Sequence, residues 1–132
     1  LMKKENILAP ISSGELIDKI SILKIKKKKI SSKAKLNNIN KELFYLNKIY
    51  LKFLVKTKKL LFYERELLKI NKILWDIEDK IRLLESKKDF NNKFIDLARS
   101  VYINNDKRSE IKKKINKLTG SNLVEEKSYK KY

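Results

Sequence analysis

Apolar residues recur along this chain at spacings of three and four, the pattern of helices with one buried face. The first periodic segment covers residues 13–30 and follows Ser12, which has Glu15 three residues later. This Ser-x-x-Glu spacing is a capping box, so we predict a helix from Ser13 to Ile30. Its predicted inward positions are Leu16, Ile20, Leu23 and Ile30, with Ile17 widening the face.

The longest periodic region, residues 34–85, contains neither glycine nor proline and carries two heptad-spaced apolar runs. The first run is Leu36, Ile39, Leu43, Leu46, Tyr50 and Phe53, and the second is Leu60, Tyr63, Leu67, Ile70, Leu74, Ile77, Ile81 and Leu84. The runs are out of phase across residues 54–59, so one straight helix would turn its apolar face away. We therefore predict a long antiparallel coiled-coil-like hairpin with its tip between residues 54 and 60. The alternative is one helix of about 80 Å, which would need a partner along its length.

Two shorter helices are predicted after the hairpin. Asp89 is the expected N-cap of a fourth helix, whose apolar residues run from Phe90 to Val101. The polar residues 104–106 are expected to end that helix, and Asp106 is expected to cap a fifth helix over residues 107–118. Gly120 suits the left-handed position that follows a helix.

Composition agrees with an all-α fold. The 132 residues are 42% hydrophobic and 38% charged, which suits one domain, 1–132, with a lead-in at 1–11 and an irregular tail at 121–132. Two glycines and one proline favour a helical bundle of about five helices over a turn-rich β fold. The lack of His and Cys excludes His-dependent triads, thiol nucleophiles and zinc clusters built on these residues. With no membrane-spanning stretch and no secretory h-region, we expect a cytoplasmic protein.

Lysine dominates the charge. Lys and Arg number 34 against 16 Asp and Glu, a formal net charge of +18. One interpretation is codon bias of an A/T-rich genome, because lysine, isoleucine and asparagine, which share A/T-rich codons, make up 59 residues. The charge is nevertheless uneven, with 14 lysines and one acid in residues 19–63. Such an arm could follow phosphates or anionic lipid, but it contains no arginine and its aromatic residues lie on or beside apolar stripes. We predict no sequence-specific nucleic-acid binding.

Four strings in order carry a family resemblance. They are ISSGELIDKI at 11–20, LWDIEDKIR at 74–82, FIDLARSVY at 94–102 with NDKR at 105–108, and GSNLVEEKSY at 120–129. Together they resemble an uncharacterised bacterial family of small proteins that carries only a domain-of-unknown-function label. The resemblance covers nearly the whole chain and implies relatedness without a particular function.

Acids and three of the four arginines concentrate in or beside these strings. One interpretation is a structural network of ion pairs, with Trp75 in the core. The other is a polar pocket inside the bundle. We expect Arg82 to reach an acid outside its own helix. An alternative, structural role for the tail string 125–129 is to return over the bundle and pair with Arg99 or Arg108. The candidate pocket residues are Glu15, Asp18, Lys19, Trp75, Glu78, Asp79, Arg82, Arg99, Tyr102, Asn105, Asp106 and Arg108.

The sequence thus indicates a non-catalytic binding or assembly module without a cofactor, joined to a protein partner or a second copy through helical faces. A small-anion or nucleotide-binding enzyme is the alternative. One version is a helical pyrophosphohydrolase-like site with Mg²⁺ on carboxylates at 15, 18, 78 and 79, although the doubled-acid spacing of those enzymes is missing. Another is a chorismate-mutase-like pocket in which Lys19, Arg82 and Arg99 hold a dicarboxylate.

Overall fold

Four α-helices make up the fold of the described residues, which are Met2 and residues 4–132 of the computed structural model. Positions 1 and 3 of the predicted lead-in lie outside the described residues. The described part of the chain contains no strand, so the all-α prediction is confirmed, whereas the number of five helices is wrong. The helices are α1 Ser13–Lys29, α2 Lys33–Phe53, α3 Lys58–Ser86 and α4 Asn92–Thr119.

Helix α1 is the centre of the bundle and packs against each of the other three helices. It begins where the capping box predicts, because the Ser12 hydroxyl oxygen accepts a hydrogen bond of 3.1 Å from the backbone N–H of Glu15. Five of its apolar side chains are buried, and its polar residues Asp18 and Ser21 are buried with them. Because α1 is covered by three helices, these polar residues are enclosed together with the apolar ones. The five buried apolar residues are Leu16, Ile17, Ile20, Leu23 and Ile25.

The predicted break between α2 and α3 is confirmed, but the predicted coiled-coil packing is wrong. Helix α2 ends at Phe53, and the Thr57 hydroxyl caps α3 by accepting from the backbone N–H of Leu60 at 3.1 Å. Between these two helices, both fully described, no Cα atoms approach within 8 Å. The buried positions of both heptad runs, such as Leu43 and Leu67, instead join the core around α1. Heptad spacing defines a buried helix face and leaves open which helix covers it.

The antiparallel hairpin of this fold is formed by α3 and α4, which share the most extensive helix contact. The turn between them holds Lys88 in the left-handed region, at φ 54°. The backbone N–H of Lys88 donates to the Glu85 carbonyl, and that of Asp89 to the Leu84 carbonyl, each at 3.0 Å. Asp89 therefore ends α3 in a Schellman motif, and the prediction that it caps the next helix is wrong. The N-cap of α4 is Asn91, which accepts from the N–H of Phe94 at 3.1 Å.

Helix α4 continues through residues 104–106, where a stop and restart were predicted. The Asn104 side-chain amide donates to the Ser100 carbonyl at 2.8 Å, and Asn105 accepts from Arg108 at 3.4 Å. Asn and Asp inside a helix cost less than about 0.7 kcal/mol each, which the packing of α4 on α1 and α3 outweighs. The helix ends at Gly120, at φ 65°, as predicted.

The tail beyond Gly120 has no regular secondary structure, as predicted, and returns along α4. The Ser121 hydroxyl accepts from the backbone N–H of Ser13 at 3.3 Å, which ties the start of the tail to the start of α1. Among the described helices, none is long and apolar enough to cross a membrane.

Candidate functional site

Asp18, in the middle of α1, is the buried centre of the candidate site, with 1% of its surface exposed. Arg108 of α4 binds its carboxylate with a two-pronged contact. The Arg108 Nε donates to Oδ1 at 2.9 Å, and Nη2 donates to Oδ2. This hydrogen bonding raises the pKa of Arg108 against the opposing effect of its burial. The pair joins α1 to α4 through the planar guanidinium geometry that lysine lacks.

Helix α3 reaches the same carboxylate through Asn71. Its side-chain amide donates to Asp18 Oδ1 at 2.9 Å and to the Ser21 hydroxyl oxygen at 3.1 Å. Three helices therefore meet at one buried acid. The sequence analysis missed Asn71 and Ser21, although Asn71 stands four residues after the buried Leu67 and so lies on the same side of α3.

Lys112 of α4 is a second buried centre that the sequence analysis missed. Its ammonium lies 2.7 Å from a carboxylate oxygen of Glu15, 2.7 Å from one of Glu125, and 3.8 Å from Asp18 Oδ2. Burial lowers the pKa of Lys112, but the hydrogen bonds to Glu125 and Glu15 outweigh it and hold the pKa above its usual value. The hydrogen bond from Lys112 in turn lowers the pKa of Glu125. The tail thus pairs with Lys112, where Arg99 or Arg108 was predicted.

Gly14 allows α1 and α4 to approach closely at this point. Its backbone N–H donates to the Asn116 side-chain oxygen at 2.7 Å. A Cβ atom at Gly14 would lie 2.7 Å from the Lys112 carbonyl oxygen, well inside contact distance. The glycine of the first string therefore serves helix packing, and it lies beside the ion network of Asp18, Arg108 and Lys112.

An open cleft of about 490 Å³ lies beside this network, between α1, α3 and α4. Trp75 is only partly buried and lines the cleft, so the interpretation of Trp75 as a core residue is wrong. The prediction that Arg82 reaches an acid outside its helix is also wrong. Its side chain is 79% exposed, and its Nε lies 3.4 Å from Glu78 in the same helix. The candidate residues that line the cleft are Trp75, Glu78, Asp79, Arg82, Asn105 and Arg108.

Tyr102 and Asp106 lie in another groove, between α4 and the tail. The Tyr132 hydroxyl donates to Asp106 Oδ2 at 2.7 Å, and its ring meets that of Tyr102 edge-on with centroids 4.9 Å apart. Arg99 is exposed and forms no salt bridge within the described residues, and it lines neither the cleft nor this groove. Lys19 is exposed and lies 3.9 Å from Glu15. The residues of the predicted pocket are therefore divided among the ion network, the cleft and the groove, and Arg99 lies outside all three.

The predicted magnesium alternative required carboxylates of α1 and α3 to converge. In the part of the chain that the structure describes, no three acidic side chains come close enough together to hold a metal ion. The carboxylates of Glu15 and Asp18 are instead held by cationic side chains.

A further groove of about 550 Å³ lies between α2 and α3 and is also lined by residues of α1. The Tyr50 hydroxyl and the Glu64 Oε1 are both buried there, and the two groups lie next to each other. Burial raises the pKa of Tyr50, and the adjacent Glu64 carboxylate raises it further. Lys24, Lys56 and Arg65 also line this groove.

These features define a class of small all-α protein in which separate sequence strings meet at one buried ion network. Three of the four strings contribute to the network, and the string at 74–82 lines the adjoining cleft. The chain belongs to a family of unknown function, DUF6165, whose model matches residues 7–132. Comparison with curated proteins and with solved structures finds no match.

Proposed function

We propose that this protein is a non-catalytic binding or assembly module of the cytosol. The observation that carries the proposal is the internal pairing of its buried charges. Asp18 is bonded by Arg108 and Asn71, and Lys112 is shared among carboxylates. A catalytic acid or base has to reach a substrate and exchange a proton with it. Groups that are buried and bonded to each other serve better to fix helices in place.

The unpartnered side of α2 supports a binding role. Helix α2 packs against α1 alone among the four helices, so much of its surface faces outward. Clusters of exposed large apolar residues mark interaction surfaces more often than chance. The exposed apolar residues of α2 are Phe44, Tyr45, Ile49, Leu51 and Phe53.

Site-specific photo-crosslinking in cells tests this surface. A photoreactive phenylalanine analogue is placed at Phe44 or Ile49, with the exposed Leu83 on α3 as the control position. We expect adducts from positions 44 and 49 and few from position 83. Adducts to a distinct protein, to a second copy or to lipid would identify the kind of partner. Equal yields from all three positions, or none, would contradict the proposal.

A small-anion site in the cleft beside the network is the second candidate function. Its support is the presence of the exposed Arg82 guanidinium and the Trp75 ring in one cleft. A guanidinium binds phosphate or carboxylate in a fork, and an aromatic ring stacks on a planar group. This combination suits a nucleotide, a sugar nucleotide or a dicarboxylate, with or without Mg²⁺.

A thermal-shift screen of these ligand classes tests the cleft, because a ligand of the folded state raises the melting temperature. The Arg82→Ala variant should lose the shift, while Lys87→Ala, an exposed cation outside the cleft, should retain it. A screen without any shift, or a shift that Arg82→Ala leaves intact, would rule the cleft out.

Nucleic-acid binding is proposed to be indifferent to sequence. The 14 lysines of residues 19–63 can contact phosphates but offer no arginine fork for base edges. Filter binding with two unrelated duplexes should show affinity that falls steeply with salt and differs less than about tenfold between them. A larger preference at physiological salt would contradict this.

A further inference from the structure

The last residues of α2 and the connection to α3, residues 51–57 and together named the α2–α3 loop, expose three apolar side chains at one end of the bundle. Leu51, Phe53 and Val55 are 70%, 69% and 78% exposed. Leu54, which lies between them, packs against the hydrophobic core. The loop is therefore anchored through Leu54, and its other apolar side chains remain directed away from the core.

The same end of the molecule carries an excess of positive charge. Residues 43–63 contain five lysines and no acid. Among the described residues, none of these five forms a salt bridge. The Lys52 ammonium lies 5.4 Å from the centre of the Phe53 ring, so charge and apolar surface adjoin each other. The five lysines are Lys48, Lys52, Lys56, Lys58 and Lys59.

The opposite end of the α3–α4 hairpin provides a comparison. It also exposes apolar residues, Leu83, Phe90 and Ile95. Acids lie among its lysines, however, at Glu85 and Asp89. Exposed apolar residues combined with uncompensated positive charge are thus a feature of the α2–α3 loop.

An anionic bilayer fits this combination better than other partners. Large apolar side chains enter the boundary between headgroups and acyl chains, while lysines stay with the lipid phosphates. Nucleic acid would engage the lysines and leave Leu51, Phe53 and Val55 in water. A second copy placed symmetrically on this patch would bring five lysines against five lysines, which like-charge repulsion opposes.

We propose that the α2–α3 loop docks the protein on the surface of an anionic phospholipid bilayer, with Leu51, Phe53 and Val55 inserted at the headgroup boundary. This rests on the proposed binding role of the α2 side and names its partner. Each lysine near an anionic surface raises the affinity by about fivefold. The apolar side chains supply binding that persists at high salt.

Co-sedimentation of the full chain with vesicles tests the proposal, using phosphatidylglycerol mixed into phosphatidylcholine against pure phosphatidylcholine. We expect at least tenfold stronger binding to the anionic vesicles. The triple variant Leu51→Ser, Phe53→Ser, Val55→Ser should lose about tenfold or more of that binding. The matched variant Leu83→Ser, Phe90→Ser, Ile95→Ser removes three apolar residues, each about half exposed, and should bind like the wild type. Circular dichroism checks that both variants fold.

A charge-matched pair separates local docking from the overall +18. Lys52→Gln with Lys58→Gln should weaken binding about 25-fold, whereas Lys87→Gln with Lys93→Gln, which has the same net charge, should change it little. Equal losses in the two pairs, or no preference for anionic vesicles, would overturn the lipid proposal. If vesicles fail while photo-crosslinking at Phe44 captures a protein, the lipid proposal is wrong and the binding role stands. If both fail, both proposals are wrong.

Discussion

Replacing Arg108 by alanine tests whether the buried ion network stabilises the fold. The substitution removes both hydrogen bonds to Asp18 and leaves that carboxylate, 1% exposed, with Asn71 at 2.9 Å and Lys112 at 3.8 Å. A buried charge that loses its partner destabilises a protein by about 3–5 kcal/mol. Domains of this size have a free energy of unfolding of about 5–15 kcal/mol, so the expected loss is about a fifth of it or more.

Urea unfolding followed by circular dichroism measures this loss. With a slope of about 2 kcal/mol per molar urea, the unfolding midpoint should fall by about 2 M. Arg82→Ala is the control, because it removes the same side chain from an exposed pair with Glu78 at 3.4 Å. Exposed helix pairs contribute about 0.3–0.5 kcal/mol, so this midpoint should fall by about 0.2 M.

Two outcomes would refute the reasoning. Equal midpoints for Arg108→Ala and Arg82→Ala would mean that the buried pair does not stabilise the fold. A double variant, Asp18→Leu with Arg108→Met, removes both charges and should be more stable than Arg108→Ala alone. If it is not more stable, the unpaired Asp18 carboxylate is not the source of the loss in Arg108→Ala.

Three further predictions concern other positions. In thermal unfolding, Gly14→Ala should lower the free energy of unfolding by about 1–3 kcal/mol, because its Cβ would lie 2.7 Å from a backbone oxygen. Gly120→Ala meets open space and should lower it by about 1 kcal/mol, because of the positive φ at this position. A Gly-Ser insertion after Val55 should lower the urea midpoint little, because no Cα atoms of α2 and α3 approach within 8 Å and the surface connection between them tolerates added length; cooperative loss of the fold would contradict this. The lowered pKa of Glu125 stabilises the folded state above about pH 4.5, and this stabilisation is lost as the pH falls through the folded-state pKa. Melting temperatures of wild type and Glu125→Gln should therefore differ near pH 7 and converge near pH 3, and a constant difference would contradict it.

Local signals predicted the start of α1 and the end of α4 correctly, but they failed at Asp89 and at residues 104–106. Ser12 caps α1 and Gly120 ends α4, because both act through bonds within a few residues of their own position. The partner of each helix was predicted poorly. Leu43 and Leu67 are buried as their heptad spacing indicated, yet both face α1, since periodicity carries no information about which helix lies opposite.

Part of the candidate site followed from residue type alone. Asp18 and Arg108 stood out because acids and arginines are rare in the lysine-rich surroundings. Lys112 and Asn71 could not be singled out in this way, because the chain contains 30 lysines and 12 asparagines. Burial separates them from the others, and burial depends on tertiary packing. The prediction that Arg82 reaches an acid outside its own helix was wrong, because its guanidinium lies beside Glu78, one turn earlier in α3.

The distribution of acids connects the stability of this fold with its proposed docking surface. A net charge of +18 makes the folded chain repel itself, so the placement of 16 acids matters. Glu15, Asp18 and Glu125 surround the buried cations of α4, where a negative charge stabilises the folded state most. Residues 43–63 contain no acid, so the positive charge of their five lysines is not balanced within this segment. The buried cations of α4 are thus paired with acids, while the lysines at one end of the bundle are not. This arrangement favours a partner that supplies negative charge from outside.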